Sequence, residues 1–193
     1  MLHGQQRTPV RIWDRRDDQE PLPIGLPEQL LPGALLHGAR RPGALLPAAR
    51  WSCRHIGSSP RDAGLACRSA REFTGQTLRG WGLPVLAEDA AVIVSELVTN
   101  ALLHGCARGA AADQVELLLW RRAGQMVCAV TDPGPQPPVL VSAAPLAEAG
   151  RGLQVVQALS VTWGWTRLGG RRKMVWAALR LPRAQSPAGS AIA

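Results

Sequence analysis

The chain of 193 residues contains no tyrosine, one phenylalanine and, among its 22 basic residues, a single lysine, Lys173. Arginine supplies all the other basic residues, a bias as typical of a GC-rich coding sequence as of a charge selected for function. The net charge of +8 is therefore weak support for a nucleic-acid partner. No stretch of the sequence forms a basic stripe of the kind that follows a phosphate backbone.

Cysteines and apolar runs are also scarce. The four cysteines, Cys53, Cys67, Cys106 and Cys128, include no Cys-x-x-Cys pair, so the usual zinc-ligand spacing is missing and we expect four reduced core residues. No run of 18 apolar residues is present, and the first residues lack the apolar segment of a secretory signal. We expect a soluble, cytoplasmic protein that does not cross a membrane.

Composition divides the chain into three parts. Residues 1–48 contain seven prolines and two copies of the sequence Pro-Gly-Ala-Leu-Leu. Prolines at this density break helices and remove ladder donors, so we predict a disordered leader, with a start codon assigned too far upstream as an alternative. We predict one folded domain over 49–181 and a flexible tail over 182–193.

Hydrophobic periodicity within the predicted domain indicates both helices and antiparallel hairpins. The predicted strands are 51–56, 115–120, 125–130, 161–168 and 173–181, and the predicted helices are 60–80, 84–105 and 153–159. Helices and hairpins that segregate in this order predict an α+β fold. We expect a two-layer sandwich whose mixed, mostly antiparallel sheet carries the helices on one face.

Three short motifs could carry chemistry. Glu96 and Asn100 lie four residues apart on the second predicted helix, and His104 continues the same line. A carboxylate and an amide oxygen on one face could meet a magnesium ion and a water, because Mg²⁺ prefers oxygen ligands and keeps several waters. Taken alone, the same residues fit an ordinary solvated helix face.

The second motif, Thr131-Asp132-Pro133-Gly134, directly follows a predicted strand. This composition is typical of a simple turn. In a binding site, Asp132 could accept a hydrogen bond from an exocyclic amine such as that of adenine, and Gly134 would allow a ring to approach the backbone.

The third motif, Gly150-Arg151-Gly152-Leu153, opens the third predicted helix. The unpaired N–H groups at a helix N-terminus can bind phosphate, and Arg151 could add positive charge. Glycines before helices are common, however, and a surface arginine is usually solvated.

In this order, the three motifs resemble the N box, G1 box and G2 box of the gyrase, histidine kinase and MutL type of ATPase. The N box corresponds to residues 95–105, the G1 box to Asp132 and Gly134 with Pro138, and the G2 box to residues 150–153. The resemblance covers residues 50–181 and implies the Bergerat-type ATP-binding fold. Within this group the chain is most similar to the stand-alone anti-sigma factor serine kinases and related ATP-binding regulators of actinomycetes.

The resemblance also implies a role for each matching residue. Asn100 would coordinate Mg²⁺ on the phosphates of ATP, Glu96 would act as general base toward a serine hydroxyl, and His104 would belong to the nucleotide-binding surface. Asp132 would bind the adenine amine, with Gly134 beneath the ring. The residues that would close over the phosphates are Gly150, Arg151, Gly152 and Leu153.

The implied function is a serine/threonine kinase that phosphorylates an anti-anti-sigma (STAS-type) protein with Mg-ATP and sequesters a sigma factor. A nucleotide-dependent interaction module without kinase turnover is the alternative. It gains support from Met174, which stands where the family generally has a threonine near the adenine and cannot donate a hydrogen bond. The resemblance is also compatible with a homodimer of this chain.

A third class, a nucleic-acid binder, would depend on the basic residues of the last hairpin turn, Arg167, Arg171, Arg172 and Lys173. Charges that flank a hairpin turn usually stay solvated, and no recognition helix accompanies them. We therefore expect no direct nucleic-acid binding and expect these charges to be solvated.

Overall fold

A computed structural model gives the chain a sheet with helices packed against it, and it describes residues 10–13, 48–54, 60–106, 114–122, 124–140, 151–168 and 172–182. The strands are β1 Val10–Trp13, β2 Ala48–Arg54, β3 Gln114–Arg122, β4 Gln125–Asp132, β5 Thr162–Arg167 and β6 Lys173–Arg180. The helices are α1 Pro60–Gly80, α2 Ala87–Asn100 and α3 Gly152–Leu159. A 3-10 turn, Pro84–Leu86, precedes α2, and a π-helical turn, Ala101–Gly105, extends it.

The strands form one sheet in the order β1-β5-β6-β4-β3-β2. Neighbouring strands from β5 to β2 are antiparallel, and β1 joins the far edge parallel to β5. The β3–β4 hairpin turns at Gly124, whose φ of 73° is a left-handed conformation that glycine adopts without steric cost. This order places β4 and β6 at the centre of the sheet.

The helices pack through one apolar stripe each. α1 begins with Pro60 and carries Asp62 in its first turn, which suits the positive end of the helix dipole. The buried residues of α1 are Cys67, Ala70, Thr74 and Leu78, and those of α2 are Ala90, Ile93, Val94, Leu97 and Val98. The hydroxyl of Thr74 donates to the Ala70 carbonyl at 2.8 Å, so its burial leaves no unpaired donor.

On the central strands both faces of the sheet are buried, and the buried residues of each face form a separate cluster. On the inner face, alternate residues of β3, β4, β5 and β6 pack with α1, α2 and α3 in one core. The opposite residues form a second cluster, here called the outer cluster, to which no described helix contributes. The members of the outer cluster are Leu118, Trp120, Val127, Ala129, Leu168, Met174, Trp176 and Ala178.

The α+β fold with helices on one face of a mostly antiparallel sheet confirms the prediction from sequence. One local difference lies within the predicted leader, where Val10–Trp13 forms β1; its β-branched and aromatic residues favour a strand, and β5 offers an open edge. The rest of 1–47 and all of 183–193 lie outside the described residues, so the domain boundaries stay predictions. Among the described helices, none combines the length and apolarity needed to cross a membrane.

Candidate functional site

All three sequence motifs meet at one cavity of about 690 Å³, between α2, the ends of β4 and β6, and the start of α3. Its lining includes Glu96, Asn100, His104, Asp132, Arg151, Gly152 and Leu153. Cavities of roughly 300–1,000 Å³ are typical of sites for small organic ligands and cofactors. Residues separated by more than 50 positions in the sequence therefore share one candidate site.

The wall formed by α2 presents Glu96 and Asn100 one helical turn apart, both half-buried. Beyond Asn100 the helix widens into its π-helical turn, a feature often found at functional sites. This turn ends at Gly105, which lies directly against Asp132, so that a β-carbon at Gly105 would collide with the carboxylate. The exposed side chain of His104 lies at the rim.

The floor of the cavity is the turn that follows β4. The Gly134 amide donates a hydrogen bond to Oδ1 of Asp132 at 2.8 Å. A β-carbon at Gly134 would lie 2.7 Å from both Cα and O of Gly105, closer than side chains tolerate. Glycine is thus required at both positions, because the two backbone segments pack against each other and against Asp132.

Lys173, at the start of β6, forms a buried ion pair with Asp132. Its Nζ donates to Oδ1 of Asp132 at 2.6 Å and to the Gly134 carbonyl at 3.2 Å. Burial raises the pKa of the Asp132 carboxyl, while the hydrogen bond and positive charge of Lys173, together with the Gly134 amide, partly offset this effect. The inner end of the cavity therefore offers an acceptor and a donor side by side.

The start of α3 closes the site from the other side. A β-carbon at Gly152 would collide with Oε2 of Glu96 and would lie 3.7 Å from Nδ2 of Asn100. Gly152 thus allows the N-terminal turn of α3 to lie against the two polar residues of α2. The first N–H groups of a helix generally lack intrahelical partners and are suited to bind an anion. In α3 the Gln154 amide already donates to the Arg151 carbonyl at 3.0 Å, so the earlier amides of the turn are the ones suited to this role.

The structure brings together the described residues that the sequence motifs predicted. Seven of them line the cavity, and Gly134 lies behind it through its contacts with Asp132 and Gly105. Gly150 lies outside the described residues.

Sequence reasoning missed Lys173, and the expectation that the charges near the last hairpin are solvated is wrong for two of them. Lys173 is 5% exposed, and Arg172 donates to Oε2 of Glu116 at 3.1 Å and to the Thr131 hydroxyl at 3.0 Å. The reason is that β6 begins at Lys173 and pairs it with Asp132 across the sheet. The alternation of β6, which puts Lys173 on the same face as Val175, was the available signal.

Met174 does not occupy the position inferred for it from sequence. Its side chain is fully buried in the outer cluster, on the face of the sheet opposite the cavity. The residues of β6 that line the cavity are its neighbours Lys173 and Val175, because successive side chains of a strand point to opposite faces. The expected loss of a hydrogen bond to the nucleotide at Met174 is therefore wrong.

A match to a family model identifies the family of this chain. A family model described as a histidine kinase-like ATPase domain matches residues 59–179. No curated protein sequence matches the chain significantly. Among solved structures, a crystal structure of the RsbU and RsbW domains of Rv1364c from Mycobacterium tuberculosis matches with 20% identity and a TM-score of 0.48, over 70% of this chain and 32% of that one. Since the family model matches more than half of the sequence, the chain belongs to the histidine kinase-like ATPase domain family.

Proposed function

We propose that the chain binds Mg-ATP in this cavity and phosphorylates a serine of an anti-anti-sigma partner, as an anti-sigma factor kinase that also sequesters a sigma factor. The observation that carries the proposal is the convergence of Glu96, Asn100, Asp132 and Gly152 on one cavity in a chain of this family. Glu96 would supply a base and Asn100 a metal ligand. Asp132 would accept a hydrogen bond from the purine, and Gly152 would allow the helix backbone to approach the phosphates.

The inner end of the cavity is suited to adenine. Adenine presents an amine donor next to a ring nitrogen that accepts, and Asp132 and Lys173 present an acceptor next to a donor. Both described hydrogen bonds to the Asp132 carboxylate use Oδ1, so we assign the amine of the base to Oδ2. Val130 and Val175 give this end of the cavity apolar walls.

The opposite end is suited to the phosphates and magnesium. Among the described residues, no group of three or more His, Cys, Asp and Glu side chains could hold a metal ion. A magnesium ion at the Asn100 side-chain oxygen would thus take its other ligands from phosphate and water, as Mg²⁺ commonly does, and would neutralise phosphate charge. Gly152 brings the N–H groups of α3 close to this point, and Arg151 adds a positive charge to the lining.

Glu96 lies beside Asn100 and would take the proton of the partner's serine hydroxyl as the serine oxygen attacks the γ-phosphorus. The bond between this phosphorus and the β–γ bridging oxygen would break, and ADP would leave. Phosphoryl transfer depends mainly on positioning and charge stabilisation, so few protein groups are needed. A new phosphate carries about −1.5 to −2 charges, which is enough to weaken the complex with the anti-anti-sigma protein. Release of that partner would free the kinase to bind its sigma factor.

The test is incubation of the purified chain with Mg-ATP labelled at the γ-phosphate and candidate STAS-type anti-anti-sigma proteins. We expect label on a partner serine, its loss in Glu96→Gln with nucleotide binding retained, and loss of Mg-ATP binding in Asn100→Ala. Glu88→Gln is the matched control, because Glu88 is exposed two helical turns before Glu96 and does not line the cavity. Equal label transfer by Glu96→Gln and the parent chain would refute the role of the base.

Binding without turnover was the alternative that Met174 favoured, and that support is removed because Met174 does not reach the cavity. The same experiment separates the two functions. A partner that binds only in the presence of nucleotide and never acquires label would establish the interaction module. Calorimetry that detects no Mg-ATP binding by the parent chain would contradict both.

A further inference from the structure

The outer cluster is buried although no described helix contributes to it. Trp120 is 0% exposed and Trp176 is 2% exposed, and the other members of the cluster are similarly buried. All three helices contribute to the inner core instead.

The burial of the outer face is uneven across the sheet. The outer-facing residues of β2, namely Ala48, Arg50 and Ser52, are exposed, whereas those of β3, β4 and β6 are buried. On β5, the outer-facing Gly164 and Thr166 are buried as well. The buried part of the outer face therefore runs from β5 to β3 and ends before β2.

The order of the strands places the two ends of one undescribed segment at opposite edges of the sheet. The chain leaves β1 after Trp13 at one edge of the sheet and begins β2 at Ala48 at the opposite edge. Five interstrand spacings of about 4.8 Å make this distance roughly 24 Å, well within the reach of the 34 residues 14–47. Because the described helices occupy the inner face, the outer face is the one open to such a connection.

The composition of the same segment provides the apolar side chains that the cover needs. Residues 14–47 contain eight leucines and one isoleucine, whereas every other undescribed segment contains at most two residues among Leu, Ile, Val and Met. We propose that residues 14–47 dock on the outer cluster and form the second covering layer of the sheet. The predicted leader is then an integral part of the folded protein, which places an apolar layer behind the strands that carry Asp132 and Lys173.

The direct test places a photoreactive benzoylphenylalanine in the full chain at Trp120 or Trp176, followed by irradiation, trypsin digestion and mass spectrometry. Cleavage after Arg16, Arg40 and Arg50 releases peptides 17–40 and 41–50, and we expect cross-links to one or both. Trp81, which packs against the inner core, is the matched control and should give no such link. Links to 141–150 or 183–193, links between two copies, or no link from either position would overturn the proposal.

A milder pair of variants tests the same contact without an aromatic replacement. A thiol introduced by Ala129→Cys, on the outer face, should react slowly with a maleimide in the full chain, and one introduced by Ala48→Cys should react fast. Adding Leu35→Asp and Leu36→Asp should accelerate labelling at position 129 by about tenfold or more, because the cover opens more often. An unchanged labelling rate at position 129 would contradict the docking of this segment.

Discussion

Replacing Lys173 by methionine would leave the carboxylate of Asp132 buried without its counter-charge. The two side chains are 7% and 2% exposed, and their charged atoms lie 2.6 Å apart. At an effective dielectric constant of about 20, Coulomb's law gives about 6 kcal/mol of attraction at this distance, before the cost of desolvation is subtracted. Breaking a buried ion pair leaves the remaining charge, here the Asp132 carboxylate, buried without a partner. We therefore expect Lys173→Met to lower the free energy of unfolding by about 3–5 kcal/mol near neutral pH.

The pH dependence identifies the cause of this loss. Burial already raises the pKa of Asp132, and removal of Lys173 should raise it further. A folded-state pKa above the unfolded value means that the folded chain binds more protons, so the stability of the variant relative to the parent should increase as the pH falls. The assay is urea denaturation, followed by circular dichroism, between about pH 7 and pH 5.

Asp132→Asn provides the control for this experiment, because it removes the carboxylate charge that Lys173→Met leaves without a partner. The double variant should be more stable near neutral pH than the sum of the two single losses predicts, by about 1–3 kcal/mol. Additive losses, or a deficit in Lys173→Met that stays constant with pH, would show that the buried ion pair does not account for the effect.

Three further predictions follow from the packing around the site. Gly105→Ala should lower stability by about 1–3 kcal/mol and weaken ATP binding, because the new β-carbon collides with Asp132. Gly64→Ala, at an open position of α1, should instead raise stability by about 0.5–1 kcal/mol. Equal denaturation midpoints for the two variants would contradict this contrast. Gly152→Ala should reduce phosphoryl transfer in the labelled-ATP assay, and retention of the parent rate would argue against close packing of α3 on Glu96. Met174→Thr should leave the ATP dissociation constant unchanged in calorimetry and lower stability by about 1–3 kcal/mol, because it buries a hydroxyl in the outer cluster.

Much of the fold was predictable because local patterns and tertiary packing agree. The stripe containing Ala90, Ile93 and Leu97 predicted the buried face of α2, and the glycine at position 124 lies in the turn of the predicted β3–β4 hairpin. The three motifs also predicted which residues line the cavity, since each follows from the end or start of a recognisable element. These features depend on side chains close in sequence, so a single sequence contains them.

Other features depend on partners that only strand pairing brings together. The sequence alone placed Lys173 in a solvated turn and Met174 next to the adenine, whereas the register of β6 against β4 puts Lys173 on Asp132 and Met174 on the opposite face. A strand with both faces buried lacks the polar and apolar alternation that distinguishes its two sides. The sequence by itself therefore determined most of the elements and seven of the residues that line the cavity. Tertiary structure decided which charges pair and which face each strand residue occupies, because these depend on neighbours distant along the chain.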